Sequence, residues 1–290
     1  MSDLRPRRSV LYMPAANERA LEKAKTLPAD AIIFDLEDAV APDAKEAARP
    51  NAVAAAGSGE YGSRELTIRC NGLDTPWGAD DLRAAATSGA SAVVTPKVGS
   101  VAYVDEVSAI LDAAGAPAAL TIWAMIETPT AIFDVRAIAA HPRVSVLVMG
   151  TNDLARELRS SLGAAGRHPL VPHLATALAA AREAGKVILD GVYNDVKDLD
   201  GFRAECVQGM EMGFDGKTLI HPGQVDIAND VWAPTEAEVE HARKVIAAFD
   251  EGVAQGRGVV TVDGRMIENL HVANAQRTIA VADAIAAFNA

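Results

Sequence analysis

The stretch from residue 120 to residue 154 constrains the fold of this chain more than any other. It holds two short apolar runs, 120–126 and 144–149, and a carboxylate follows each of them, Glu127 and Asp153. Runs this short, apolar and rich in β-branched residues are typical of strands buried on both faces of a parallel sheet. The segment between the runs has the length and the apolar spacing of one crossover helix. The stretch therefore predicts a strand–helix–strand unit of an α/β fold.

Consecutive parallel strands end at the same edge of a sheet, so Glu127 and Asp153 are expected to lie close together. An unpaired buried charge is costly, and two neighbouring carboxylates repel each other unless a cation lies between them. Carboxylate oxygens are the ligands that Mg²⁺ uses when water and substrate complete its coordination shell. The pair predicts a magnesium site. The alternative is that Thr128 or Asp153 only caps the helix that follows.

Composition excludes several classes of protein. The chain has 290 residues, of which 50% are hydrophobic, so it can bury the core of one barrel-sized domain or of two small ones. A net charge of −12 argues against nucleic acid as a partner. No apolar run approaches the ~18 residues of a membrane span, and no secretion signal is recognisable. Two cysteines, Cys70 and Cys206, form neither a disulfide framework nor a CxxC site, which predicts a reducing, cytoplasmic location.

Eight short strand-like runs alternate with helical segments along the first four-fifths of the chain. This rhythm predicts an α/β fold of the (β/α)8 or TIM-barrel type. A doubly wound open sheet is the alternative, but no GxGxxG follows the first strand and no GxxxxGK[ST] occurs anywhere. The predicted strands are 10–13, 31–38, 65–71, 92–97, 120–126, 144–149, 186–190 and 215–221.

The last part of the chain does not fit the barrel count. It reads as a helix over 236–249, a glycine-rich joint with a β-like run over 259–262, and a final helix over 272–288. We therefore predict two domains. Residues 1–234 form a TIM-barrel catalytic domain, and residues 235–290 form a C-terminal helical extension that packs on the barrel or on a neighbouring subunit.

In a barrel of this type, the carboxyl ends of the strands meet at one mouth. Arg69 there would stabilise negative charge on a carbonyl oxygen as it becomes an enolate, and a metal would hold an oxygen-rich substrate such as a 2-oxo or 2-hydroxy acid. The alternative is that Arg69 only pairs with neighbouring acids. Backbone N–H groups of Gly150, Thr151 and Asn152 would bind a carboxylate. The strand ends gather Glu37, Asp38, Arg69, Asn71, Lys97, Glu127, Asp153 and His221.

Six motifs, in order over nearly the whole chain, resemble those of the citrate lyase β-subunit family. That family includes malyl-CoA and citramalyl-CoA lyases and malyl-CoA thioesterases, within the wider HpcH/HpaI aldolase group. The motifs are RSVLYMPAAN at 8–17, FDLEDAV at 34–40, IRCNG at 68–72, MIETP at 125–129, GTNDL at 150–154 and KTLIHP at 217–222.

The resemblance implies a TIM barrel, Mg²⁺, an acyl-CoA thioester with a small 2-oxo acid, and a homotrimer or hexamer. It also implies that the C-terminal segment of a neighbouring subunit covers the site and brings an acid/base residue. The roles it carries over are metal ligation by Glu127 and Asp153, water binding by Glu37 and Asp38, enolate stabilisation by Arg69 and carboxylate binding by the backbone at Gly150, Thr151 and Asn152.

One family motif differs in this chain. The family ends a C-terminal motif in Met-Ile-Asp, whereas this chain has Glu268 at the last position. Glutamate is one methylene longer, so the reach of the proton-transferring carboxyl changes. Asp263 is the nearest substitute. Because coenzyme A is a polyanion, we also predict that Arg19 and Lys23 bind its phosphates, with an ordinary solvated helix face as the alternative.

The sequence thus predicts a Mg²⁺-dependent carbon–carbon lyase. It would split a 3-hydroxyacyl-CoA of the malyl-CoA or citramalyl-CoA type into an acyl-CoA and a 2-oxo acid. One alternative is a malyl-CoA thioesterase that uses the same pocket. The other is a citrate lyase β-type subunit, which needs an acyl carrier partner.

Overall fold

The computed structural model of the chain describes residues 4–162 and 166–289. Within these residues, eight parallel strands close into one barrel in sequence order, because β8 pairs with β1. The predicted (β/α)8 or TIM-barrel fold is confirmed, and the closure excludes the open doubly wound sheet. The strands are β1 (Ser9–Pro14), β2 (Ala31–Asp35), β3 (Glu65–Arg69), β4 (Ala92–Thr95), β5 (Thr121–Ile126), β6 (Val144–Met149), β7 (Val187–Asp190) and β8 (Gly216–Leu219).

Helices connect the strands, and short 3₁₀ helices occur at Pro42–Ala44, His168–Leu170 and Pro222–Gln224. The sequence predicts that a helix starts near Asp153, which is α6, but it does not predict α9. The helices of this part of the chain are α1 (Glu18–Ala24), α2 (Lys45–Gly57), α3 (Gly78–Ala85), α4 (Val101–Ala113), α5 (Pro129–Ala140), α6 (Thr151–Glu157), α7 (Val171–Glu183), α8 (Leu199–Met212) and α9 (Val225–Val231).

Alternation along the strands decides which side chains enter the barrel. Successive side chains point to opposite faces, so every second residue fills the interior. Ala31 and Ile33 lie in the inner core cluster, as do Trp123 and Met125 on β5. The next inward positions, at the carboxyl ends of these strands, carry charged side chains instead. Asp35, Arg69 and Glu127 therefore line the mouth of the barrel.

A buried group of charges holds β7 and β8 to α8 on the outside of the barrel. The Nζ of Lys217, which is 0% exposed, lies 2.9 Å from Oδ2 of Asp190 and 2.7 Å from Oε1 of Glu205. Arg167 Nη1 lies 2.6 Å from the other oxygen of Asp190. Burial alone would raise the pKa of Asp190, but Lys217 and Arg167 outweigh it and lower that pKa. Lys217, quoted above only as part of a motif, is therefore a structural residue.

The chain divides into two compact units, of which the first is Arg7–Asn229. The second contains the residues from 230 onward together with the described residues 4–6, whereas the sequence placed the domain boundary after residue 234. Its elements are α10 (Glu236–Ala254), β9 (Val260–Val262), β10 (Arg265–Ile267) and α11 (Asn269–Asn289). Its own core contains Val245, Phe249, Val260, Ile267 and Val272.

A two-residue turn joins β9 to β10, which pair as an antiparallel hairpin. Asp263 and Gly264 at the turn have φ of 49° and 75°, the left-handed values that match the twist of a two-residue hairpin. The sequence predicts β9 but not β10. Among the helices in residues 4–162 and 166–289, none is long and apolar enough to cross a membrane.

Candidate active site

Glu127 follows β5 directly and is 2% exposed. Its Oε1 accepts a 2.7 Å hydrogen bond from the backbone N–H of Lys97, which adopts a left-handed φ of 50°. A non-glycine residue in this conformation is uncommon, and it places the N–H toward the carboxylate. The next residue, Thr128, caps α5 by accepting from the N–H of Ala131. Thr128 therefore fulfils the capping role, and Glu127 is not needed for it.

Gly150 makes room for the carboxylate of Glu127. Its φ is −94°, a value any residue can adopt, so backbone freedom does not explain the glycine. A Cβ at this position would lie 2.2 Å from Oε2 of Glu127, far inside contact distance. Gly150 is also the N-cap of α6, so Asp153 lies in the first turn of that helix rather than at its cap. The capping alternative is therefore wrong for Asp153.

A cavity of about 290 Å³ opens at the mouth of the barrel. Its lining includes four of the eight predicted strand-end residues and the three residues predicted to bind a carboxylate. Glu37 does not line it but contacts Arg69, which does. The lining comprises Tyr12, Pro14, Asp35, Asp38, Ala39, Arg69, Met125, Glu127, Met149, Gly150, Thr151, Asn152, Asp153, Val192, Asn194, Thr218 and Ile220.

Arg69 lies among three acids at the wall of this cavity. Its Nε and Nη2 bind the two oxygens of Asp35 at 2.7 and 2.6 Å. Its Nη1 lies 2.8 Å from Glu37 and 3.3 Å from Asp38. The face of the guanidinium lies 4.6 Å from the ring centre of Tyr12. The predicted pairing of Arg69 with Glu37 and Asp38 is present, yet its bidentate partner is Asp35.

Sequence reasoning overlooked Asp35 as a site residue, although a signal for it existed. Asp35 and Arg69 are partners in the β2–β3 register and end their strands at the same level. Inward alternation from Ile33 places both side chains inside the mouth. Counting the register of β2 against β3, rather than collecting acids after the strand, identifies this pair.

Burial and mutual repulsion perturb the carboxyls of the site. Burial, and then the neighbouring Glu37, raise the pKa of Glu127 from 4.5 to about 8, against the opposing hydrogen bond from Lys97. Burial likewise raises the pKa of Glu37 to about 7, although Arg69 opposes it. Two carboxyls with pKa values near neutrality in one small site are unusual and typical of functional sites. A bound cation would oppose both shifts, because it stabilises the ionised carboxylates.

The donor set fits Mg²⁺. Glu127 and Asp153 offer hard carboxylate oxygens to one cavity, and the repulsion that raises the pKa of Glu127 includes Asp153. Over residues 4–162 and 166–289, no group of three or more His, Cys, Asp or Glu side chains is placed to hold a metal. Water and substrate would therefore complete the shell, as is usual for Mg²⁺.

Known proteins share this arrangement of sequence and fold. The family described as HpcH/HpaI aldolase/citrate lyase matches residues 8–222. The chain belongs to this family. It is 51% identical over 285 residues to a (3S)-malyl-CoA thioesterase of Cereibacter sphaeroides, and the match covers 98% of each chain. The family resemblance stated from the motifs is therefore confirmed.

Two further proteins are similar to this chain at lower identity. An L-malyl-CoA/β-methylmalyl-CoA lyase of C. sphaeroides is 34% identical over 307 residues, covering 98% of this chain and 96% of the lyase. A crystal structure of CitE from Mycobacterium tuberculosis, in complex with magnesium, acetoacetate and coenzyme A, superposes with a TM-score of 0.78 at 28% identity. That superposition covers 95% of this chain and 97% of CitE.

A pair of asparagines in this family member links the start of α6 to the loop after β7. Asn152 and Asn194 each donate an amide N–H to the other's amide oxygen, at 3.0 and 2.8 Å. Both line the cavity. The sequence predicts a role for Asn152 through its backbone, but it contains no local signal for Asn194, because the two residues are far apart along the chain.

The cavity lining does not include the predicted residues Lys97, His221, Arg19 and Lys23. The Nζ of Lys97 lies 3.8 Å from Glu37 and that side chain is 46% exposed. His221 accepts a hydrogen bond from the N–H of Gly223. Arg19 and Lys23 are exposed on α1. Glu268 belongs to the second unit, where its backbone N–H donates to Nδ1 of His271.

We expect Mg²⁺ to raise the melting temperature more at about pH 9 than at about pH 6. Because the pKa of Glu127 is raised to about 8, the metal-free folded protein holds a proton that the unfolded chain lacks between pH 4.5 and about 8. Its stability therefore falls as pH rises through this window. At about pH 9 the carboxyl of Glu127 is already ionised, so Mg²⁺ would bind without competition from a proton. At about pH 6, Mg²⁺ would first have to displace that proton.

Thermal unfolding with and without Mg²⁺, at both pH values, measures this effect. Glu127→Gln is the control, because it removes a predicted metal ligand and should show no Mg²⁺ shift at either pH. An equal Mg²⁺ shift at both pH values in the unaltered chain would contradict the expectation.

Proposed function

We propose that this chain hydrolyses the thioester bond of a 3-hydroxyacyl-CoA of the malyl-CoA type. The observation that carries the proposal is the 51% identity, over 98% of both chains, to a protein named (3S)-malyl-CoA thioesterase. The protein named as a malyl-CoA lyase is less similar, at 34% identity. The carbon–carbon lyase that the sequence analysis put first therefore becomes the second candidate.

The charges of the cavity support acyl chemistry on an anionic substrate. Mg²⁺, held by Glu127 and Asp153, would supply positive charge to the oxygens of the acyl group. Arg69 lines the same cavity and would stabilise the oxyanion that forms when water adds to the thioester carbonyl. The carbon–sulfur bond then breaks, coenzyme A leaves as a thiolate, and a free carboxylic acid remains.

Hydrolysis requires a general base that accepts a proton from the attacking water near neutral pH. A general base is most effective when its pKa lies near the working pH. The pKa of Glu37 is about 7, and its Oε2 contacts Nη1 of Arg69 at 2.8 Å. We assign Glu37, with the more exposed Asp38, to holding and deprotonating this water.

The free carboxylate of the acyl group needs hydrogen-bond donors in the cavity. Backbone N–H groups at the start of a helix have no partner within the helix. Gly150, Thr151 and Asn152 line the cavity at the start of α6. The N–H of Gly150 already donates to the carbonyl of Ile126 at 3.1 Å, so we assign the N–H groups of Thr151 and Asn152 to this carboxylate. Arg19 and Lys23, exposed on α1, are our candidates for the phosphates of coenzyme A.

A neighbouring subunit is part of the proposal. We assign Glu268 to proton transfer from the C-terminal segment of a second copy, within a homotrimer or hexamer. Met266 and Leu270 on either side of Glu268 are 61% and 57% exposed, which fits a segment that covers another surface. We place the activity in the cytoplasm, in keeping with Cys70 and Cys206, which are free and buried.

A product analysis tests the proposal. Pure protein is incubated with Mg²⁺ and (3S)-malyl-CoA, and free thiol, malate, glyoxylate and acetyl-CoA are followed together. Thiol and malate in equal amounts, without glyoxylate, are the expected result. Glyoxylate and acetyl-CoA in step, without thiol, would instead establish the lyase. No turnover by a protein that binds Mg²⁺ would favour the citrate lyase β-type subunit, which needs an acyl carrier partner.

The lyase remains as a second candidate because of one contact. Nη1 of Arg69 is the guanidinium nitrogen that Asp35 leaves for other partners. A positive charge there would stabilise an acetyl-CoA enolate as well as a thioester oxyanion, since both place negative charge on the same oxygen.

A further inference from the structure

The carboxylate of Asp35 is shared between Arg69 and the turn that follows β2. Besides the two hydrogen bonds from Arg69, its Oδ1 accepts the N–H of Glu37 at 2.9 Å and its Oδ2 accepts the N–H of Ala39 at 3.1 Å. Both oxygens therefore hold one guanidinium nitrogen and one backbone nitrogen. Asp35 is 1% exposed, so water does not compete for these bonds.

We propose that Asp35 is a positioning residue. It holds Arg69 and the turn that carries Glu37 and Asp38 in a fixed position relative to each other. The inference rests on the proposed function, because it takes Arg69 and Glu37 as the groups that act on the acyl substrate. It assigns to Asp35 no contact with the reacting atoms and no proton transfer.

Three contacts determine the orientation of the guanidinium. Asp35 binds its Nε–Nη2 edge, Tyr12 covers one face, and the remaining nitrogen, Nη1, meets Glu37. A planar fork bound along one edge has no freedom to rotate in its plane. If Asp35 lost its charge, Glu37 would become the dominant acid, and the guanidinium would turn toward it and away from the cavity.

The carboxylate of Asp35 also fixes the position of the Glu37 backbone relative to Arg69. The backbone N–H of Glu37 is held by Oδ1 of Asp35, which also binds Nε of Arg69. The side chain of Glu37 therefore reaches Arg69 from a turn that is anchored at the same atom. A shift of Asp35 would displace both groups together, and misplacement by about 1 Å can cost about 10²-fold in rate.

The chain contains a matched pair that separates positioning from simple stabilisation. Asp30 lies just before β2, at the opposite end of the same strand, and is 0% exposed. It binds Nε and Nη2 of Arg8 at 2.9 and 2.8 Å and accepts the backbone N–H of Arg8 at 2.8 Å. Asp30 is thus as buried and as bidentate as Asp35, but it lies at the far end of the barrel from the cavity.

The experiment compares Asp35→Asn with Asp30→Asn. Both variants should lower the melting temperature by similar amounts, because each weakens a buried ion pair. Only Asp35→Asn should lower kcat, by about 10²-fold, while KM for malyl-CoA stays within about twofold. Unchanged kcat in Asp35→Asn, or an equal loss in Asp30→Asn, would overturn the proposal.

A double-mutant cycle tests whether Asp35 acts through Arg69. In an Arg69→Lys background, the further change Asp35→Asn should lower kcat clearly less than the about 10²-fold expected in the parent, because only the turn that carries Glu37 is left to position. Independent, multiplicative losses would overturn the inference. If Asp35→Asn fails to fold, Asp35→Glu takes its place in the same cycle, since it keeps the charge but displaces it by one methylene.

A crystal structure of Asp35→Asn gives a readout without substrate. The guanidinium of Arg69 should be turned toward Glu37, and an unmoved guanidinium would overturn the proposal. If the unaltered chain does not act on malyl-CoA, the proposed function fails, whereas the structure of the variant still decides the positioning role.

Discussion

Glu127→Gln is expected to abolish Mg²⁺ binding and to lower kcat by about 10³-fold. The metal would contribute several kcal/mol of charge stabilisation to the transition state, and each ~1.4 kcal/mol is worth a factor of ten. Glutamine preserves the shape of the side chain and still accepts the hydrogen bond from Lys97 that Glu127 accepts at 2.7 Å. At high pH the variant should also be no less stable than the metal-free parent, because a neutral amide replaces the buried carboxylate charge of Glu127.

Titration calorimetry with Mg²⁺ and the rate with malyl-CoA measure this prediction. Glu65→Gln is the matched control, since Glu65 is 5% exposed and pairs with Arg7 at the other end of the barrel. That variant should lose stability but keep Mg²⁺ affinity and rate. A Glu127→Gln protein that binds Mg²⁺ like the parent would show that the metal lies elsewhere.

Arg69→Lys is expected to lower kcat by about 10²- to 10³-fold, although it keeps the positive charge. Loss of one well-placed donor to a developing oxyanion has an effect of this size. Lysine offers a point charge where arginine offers a planar fork, so it cannot bind both oxygens of Asp35 and still present a donor to the cavity. Mg²⁺ affinity should stay within a few-fold of the parent value.

Arg8→Lys is the matched control, because Arg8 forms the same kind of bidentate pair with Asp30. Both variants should be destabilised, and only Arg69→Lys should be slow. Equal rates in the two variants would mean that Arg69 only neutralises the acids around it, which is the alternative that the sequence left open.

Local patterns were sufficient for the barrel and for much of the cavity. A strand buried on both faces is legible as a short apolar run, and the carboxyl ends of such strands meet without any knowledge of tertiary contacts. Glu127, Asp153, Arg69 and Asp38 follow from this rule, and the cavity contains them all. The rule depends only on chain order, which explains its success.

Features that depend on register or on distant partners were not predictable in this way. The link between Asp35 and Arg69 requires the alignment of two strands. The pairing of Asn152 with Asn194 requires the start of α6 to approach the loop after β7. The buried group around Lys217 requires knowing which face of β8 that lysine occupies. Helix α9 has seven residues and was not recognised from the sequence.

The close approach of Gly150 to Glu127 limits how this protein can change over evolutionary time. No atom of Gly150 is a candidate ligand of the metal, yet any side chain at this position would collide with Oε2 of Glu127. A substitution at this position would therefore act as a mutation of the metal site, and a larger residue becomes tolerable only after Glu127 has moved or shortened. The two strand ends must accordingly evolve together, and a homologue without this glycine should also differ at the acid that follows β5.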